Sequence, residues 1–132
     1  MGRLILDTSV IVSAERRVRS MADAIGDDDD VSIAAITVAE LYVGVELAGP
    51  KKRLARAAFV DRVLEQVVVE PYTSQTARVH ASLLAHTKRS GRSRGVHDLM
   101  IAATAIATER SLVTADARGF DRLPGLVLHL AE

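Results

Sequence analysis

Short apolar, β-branched runs alternate with longer stretches of helical spacing along this chain. That alternation restricts the fold more than any other feature. Arg3 to Asp7, Val31 to Ala35, Val67 to Val69, Ser111 to Thr114 and Val127 to Leu130 read as strands. Between them, Val10 to Glu15 makes a helical turn or two, and Val18, Met21, Ala22 and Ile25 have helical spacing. Thr37-Val38-Ala39-Glu40 has capping-box spacing and opens a helix whose apolar face runs through Leu41, Val45 and Ala48 to Gly49 and Pro50. Lys51 to Gln66 follows as a helix with Leu54, Ala57, Ala58, Val63 and Leu64 inward. Another, capped by Thr73 or Ser74 and stopped by Gly91, has Ala77, Leu84 and Ala85 as core candidates. His97 to Glu109 is apolar almost all round and therefore belongs in the interior. Strands alternating with helices imply an α/β chain, a three-layer α/β/α sandwich around a mostly parallel sheet.

The 132 residues suit one domain, taken as residues 1–132, with no internal repeat. The apolar runs are too short for a membrane span, and the amino-terminal stretch lacks a signal peptide's apolar region, so a cytoplasmic protein is expected. With no cysteine there is no disulfide framework, no thiol chemistry and no thiolate metal ligand. Seventeen basic residues balance seventeen acidic ones, so global charge does not advertise a nucleic-acid partner. Arginines do cluster, at Arg16, Arg17 and Arg19, at Arg53 and Arg56 beside Lys51 and Lys52, and at Arg89, Arg92 and Arg94 beside Lys88. The run Asp27 to Asp30 lacks the alternating oxygen ligands of a calcium loop and reads as a solvated loop.

Four carboxylates stand out by position. Asp7 ends the first strand, Glu40 lies in the first turn of the helix after the second, Asp98 opens the buried Ala-rich helix, and Asp116 lies two residues past the strand ending at Thr114. In a parallel α/β layer, carboxyl ends of strands and amino ends of helices gather along one edge, where ligands bind. Each acid also has a purely local use. Asp7 can cap a helix, Glu40 can complete the box with Thr37, Asp98 suits a helix dipole, and Asp116 or Asp121 can make an Asx turn. Asp98 differs in standing against an apolar helix, where an unpaired charge is costly. Together the four suit a hard cation such as magnesium, which takes oxygen ligands, activates water and stabilises a leaving oxygen in phosphodiester cleavage. A haloacid-dehalogenase-like phosphatase would need a second Asp where Ser9 stands, and a receiver-type phosphoacceptor would need paired acids after the first strand.

The segments Leu6-Asp7-Thr8-Ser9, Val38-Ala39-Glu40-Leu41 with Gly44, Asp98-Leu99-Met100-Ile101-Ala102-Ala103-Thr104-Ala105, and Thr114-Ala115-Asp116 with Phe120 resemble, in order, the successive motifs of the PIN domain. More narrowly they resemble the VapC-type ribonuclease toxins of bacterial toxin–antitoxin pairs. The resemblance implies a magnesium-dependent endoribonuclease, with manganese as a possible substitute. Asp7, Glu40, Asp98 and Asp116 would surround the metal, and Ser9 and Thr114 would be supporting hydroxyls. It also implies an RNA substrate, a cognate antitoxin and a homodimer. The family's fourth acid varies, which leaves Asp121 as the alternative to Asp116. Arg92 and Arg94, in the glycine-punctuated loop from Gly91 to Gly95, are the candidate phosphate contacts. The alternative to an enzyme is a catalytically silent PIN-like module that binds RNA or a protein partner.

Overall fold

The computed structural model describes residues 2–16 and 29–131. Five strands form one wholly parallel sheet: β1 Arg3–Leu6, β2 Asp30–Ala34, β3 Val68–Glu70, β4 Ser111–Thr114 and β5 Leu128–Leu130, in the order β3-β2-β1-β4-β5. Five helices accompany them: α1 Thr8–Arg16, α2 Ala35–Leu47, α3 Pro50–Gln66, α4 Ser74–Ser90 and α5 Val96–Ala107. The expected α/β/α sandwich is the observed one. The helical spacing at Val18 to Ile25, with Arg17, Arg19, Asp27 and Asp28, lies outside the described residues.

Alternation along the central strand builds the layers. Successive side chains of a strand point to opposite faces. Leu6 therefore joins Val10, Ile11, Ile33, Leu41 and Val63 in a core beneath α1, α2 and α3. Ile5, one residue earlier, joins Leu83, Leu99, Ala102, Leu112 and Phe120 beneath α4 and α5. Both faces of β1 are thus covered, which is why its sequence is a continuous apolar run and not an alternating one. Its register against β4, Leu4 beside Ser111 and Leu6 beside Val113, sets the ends of the two strands level.

Several local expectations are corrected. The helix after β2 begins at Ala35, three residues before the capping-box reading puts it, with Ala34 at its N-cap and no side-chain cap. Thr37 therefore lies inside the first turn, fully buried, and Glu40 lies beyond that turn. The inward face of α3 is Val60 and Val63; Leu54 and Ala58 face solvent. On α4 the buried leucine is Leu83, 2% exposed, and Leu84 is 39% exposed. Thr73 accepts from the Thr76 N–H as N-cap, and Gly91 ends α4 with a left-handed φ of 71°, a conformation glycine adopts without steric cost. Asp30 is not solvated loop but the first residue of β2, and it pairs with Arg3 and with the buried Arg110. Arg110 also reaches Glu70 and the carbonyl of Leu4, tying three strands together.

The phase of α4 has a measurable consequence. Leu83→Ala should cost about 2–4 kcal/mol in urea denaturation, as burial-dependent truncations do, and Leu84→Ala should cost only about 0.5 kcal/mol.

Candidate active site

At the carboxyl edge of β1, Asp7 is 5% exposed and its backbone N–H still donates to Val113 on β4. Its Oδ2 accepts from the hydroxyls of Ser9, at 2.7 Å, and Thr114, at 2.8 Å. Ser9 Oγ in turn accepts from the N–H of Ala115, and Thr114 Oγ1 from that of Asp116. Two hydroxyls thus fix one oxygen of Asp7 and leave Oδ1 without a hydrogen bond among the described residues. Thr8 and Ser9 are the first two residues of α1, and their side chains serve carboxylates, not the helix end.

Glu40 reaches the same edge from α2. Thr8 Oγ1 donates to its Oε1 at 2.7 Å, with the buried Thr37 hydroxyl 3.2 Å from that same Thr8 oxygen. His97 Nδ1 stands 3.3 Å from Oε2. Each oxygen of Glu40 therefore has a partner, supplied by a residue that helical or strand periodicity does not mark.

Asp98, in the first turn of α5, is half-buried, and its carboxylate makes no hydrogen bond among the described residues. Its pKa lies above the usual 3.8, first because burial disfavours the charge, then because Asp7, Glu40 and Asp116 repel it; His97 opposes the shift. Two glycines wall it in. A Cβ at Gly119 would overlap Asp98 Oδ2, and one at Gly95 would stand 3.2 Å away. Those glycines and the threonines at 8 and 37 are the contributors that motif reading misses. The only sequence sign of them is small or hydroxylated residues beside each acid.

Asp116 is placed by the turn after β4. Its Oδ1 accepts from the Arg118 N–H and Nε, and its Oδ2 from Arg118 Nη2 at 2.6 Å. These bonds hold its pKa down at about 2. Asp121 is committed elsewhere, to Arg94 Nη1 at 2.8 Å and to Arg92 at 3.5 Å. Arg94 is 4% exposed and also donates to the carbonyls of Arg118 and Asp121. It is a brace for the turn that carries Asp116, and Arg92 remains the exposed arginine of the pair.

Asp98 lies within electrostatic reach of the other three acids, yet among the described residues no three acidic or histidine side chains already cage an ion. The donor set nevertheless fits a hard divalent cation. All donors are carboxylate oxygens, one half-buried charge lacks any partner, and Asp7 presents a free oxygen from a fixed position.

A family model for the PIN domain matches residues 4–126. The chain belongs to the PIN-domain family. Among curated relatives, it is 32% identical to a ribonuclease VapC of Rickettsia bellii over 93% of this chain and 92% of that one. It is 34% identical to ribonuclease VapC5 of Mycobacterium tuberculosis over 85% and 82%. The solved VapBC2 complex of Rickettsia felis, bound to a fragment of its promoter DNA, superposes on this PIN domain with a TM-score of 0.89 at 25% identity, covering 98% of this chain and 99% of the other.

The electrostatics of Asp98 predict a pH effect. A carboxyl group whose folded pKa is raised binds protons more tightly when folded, so it favours folding at low pH and opposes it once ionised. In a chelator, the melting temperature of the wild-type protein should therefore fall, relative to that of Asp98→Asn, as pH climbs from about 4 through the raised value. A melting series over pH 3.5–8, with wild-type and variant curves running parallel throughout, would remove the repulsion described here. Thr114→Val, which takes away one donor to the buried Asp7 and one acceptor for the Asp116 N–H, should cost about 1–3 kcal/mol in chemical denaturation.

Proposed function

We propose that this PIN domain is the toxin of a toxin–antitoxin pair, an endoribonuclease that cuts RNA phosphodiesters at the carboxyl edge of its sheet. It is a ribonuclease of the VapC kind. Magnesium, with manganese able to replace it, is the cofactor the site suits. The observation that carries the reading is Asp98, a half-buried carboxylate with no hydrogen-bond partner among the described residues and within electrostatic reach of three further acids. A fold retains such an arrangement at a cost in stability, and a bound cation relieves it.

Asp7 and Asp98 would be the principal ligands, with Glu40 and Asp116 completing the set directly or through water. A divalent ion held there lowers the pKa of bound water and neutralises charge on the scissile phosphate. The remaining work belongs to the chain. Ser9 and Thr114 hold Asp7 in one rotamer, and Thr8 and Thr37 orient Glu40 toward the gap. Gly95 and Gly119 let Asp98 sit close to the backbone without a clash. His97, at the rim and half-exposed, can meet an RNA phosphate beside Glu40, as can Arg92 on the neighbouring loop.

The partners are RNA, a cognate antitoxin and a second copy of the chain. Solved complexes similar to this fold pair a toxin with an antitoxin. A protein partner is supported by Tyr42, Val43 and Leu47 on α2 and Leu54 on α3, apolar side chains that are all exposed. A cleft of about 210 Å³ also runs from Glu40 past Arg56 to Phe59 and Val60. Exposed apolar patches of this kind mark interaction sites. Among the described residues no helix is long and apolar enough to cross a membrane; cytoplasmic action fits an RNA substrate.

Incubating the protein with total RNA and magnesium, then mapping new ends, tests the reading. Wild type should give discrete cleavage, Asp98→Asn should lose about a hundredfold or more in rate, and chelation should abolish the reaction. RNA retained by the protein but left intact would make it the silent binding module instead. Undiminished cutting by a folded, nuclease-free Asp98→Asn would remove the mechanism.

A further inference from the structure

We propose that Arg118 is an internal gate on the fourth carboxylate, holding Asp116 until an RNA phosphate draws the guanidinium away. The proposal rests on the metal-dependent nuclease reading above. A carboxylate offers about four acceptor positions, and in this structure three N–H donors of one residue engage both oxygens of Asp116. Asp116 Oδ1 accepts from the Arg118 N–H at 3.0 Å and Nε at 2.9 Å, and Oδ2 accepts from Nε at 3.1 Å and Nη2 at 2.6 Å. While that fork is closed, a cation has to compete with the guanidinium for both oxygens of Asp116.

The fork is built to open at one end only. The backbone of the turn is fixed: the Asp116 N–H donates to Thr114, and the Arg118 carbonyl accepts from the buried Arg94 guanidinium, itself paired with Asp121. Gly119 is pressed against Asp98. The Arg118 side chain, by contrast, is 90% exposed, so it can swing without disturbing anything packed. Guanidinium binds phosphate and carboxylate with the same two-pronged geometry. An RNA backbone arriving at the sheet edge therefore offers Arg118 an alternative anion and returns Asp116 to the site. Cation and RNA binding are coupled through this one side chain, each strengthening the other.

Calorimetric titration with manganese alone and RNA binding measured separately in EDTA test both halves. Exposed ion pairs are weak, so Arg118→Gln should tighten manganese binding by roughly two- to fivefold. In an Asp116→Asn background the same change should do nothing. Arg118→Lys, which keeps the charge and loses the fork, should fall between. In EDTA, Arg118→Gln should weaken binding of a single-stranded RNA and lower its salt slope by about one. Melting in EDTA should stay close to wild type for the Arg118 variants, since that side chain packs against nothing. Unchanged or weaker manganese binding by Arg118→Gln overturns the gate, and unchanged RNA binding overturns its phosphate trigger. A wild-type protein that binds no manganese at all overturns the metal site itself, and the gate with it.

Discussion

Like charges have to be held within reach of one another at the edge of this sheet, and much of the local structure exists to make that tolerable. Coulomb repulsion among partly buried carboxylates is worth several kcal/mol at short range unless something opposes it. The chain opposes it differently at each acid. Asp7, the deepest, is steadied by two hydroxyls on one oxygen. Glu40 has a threonine on one side and a histidine on the other. Asp116, the most exposed, has an arginine. Asp98 alone makes no hydrogen bond among the described residues, and there burial and repulsion outweigh the opposing pull of His97. Stability has been given up at one residue so that the edge stays electronegative.

Much of the architecture was legible because both codes that specify it are periodic. Alternating strand and helix patterns gave the layers, and the continuous apolar character of Leu4 to Leu6 and of α5 gave the central strand and the most buried helix. The phases of α3 and α4 were not legible. Leu54, Ala58 and Leu84 are good helix-face residues by spacing, but which face turns inward depends on where the neighbouring helix and sheet lie, and several phases satisfy the same composition. Register decides, and register is tertiary.

The acids drew notice by their places at strand and helix ends, and Ser9 and Thr114 came with them through the family resemblance, but the partners of Glu40 and Asp116 were not legible. Thr37 and Glu40 have the spacing of a capping box, and physical chemistry allows that use. The structure starts the helix three residues sooner, so Thr37 is drawn into the Thr8–Glu40 contact. Arg94 had the look of a solvent-facing phosphate contact because charged loop residues mostly are solvated. It is buried because Asp121 and two carbonyls compensate it, a pairing across 27 positions that no local pattern announces. Asp30, fourth in a run of aspartates, acquires its place from Arg110, 80 positions away.

The topology also fixes when the site comes into being. Asp7 directly follows β1, the earliest strand of the sheet in chain order, but the hydroxyl that secures it, Thr114, comes 107 residues later. At roughly 5–20 residues per second, that interval is about 5–20 s of synthesis. Throughout it the central strand has one edge unpaired and the acids have no common geometry. Chains released early, or cut anywhere before β4, carry at most three of the four carboxylates and lack the Thr114 hydroxyl that secures Asp7. A protein whose activity is dangerous to the cell that makes it is thereby harmless for most of its own translation.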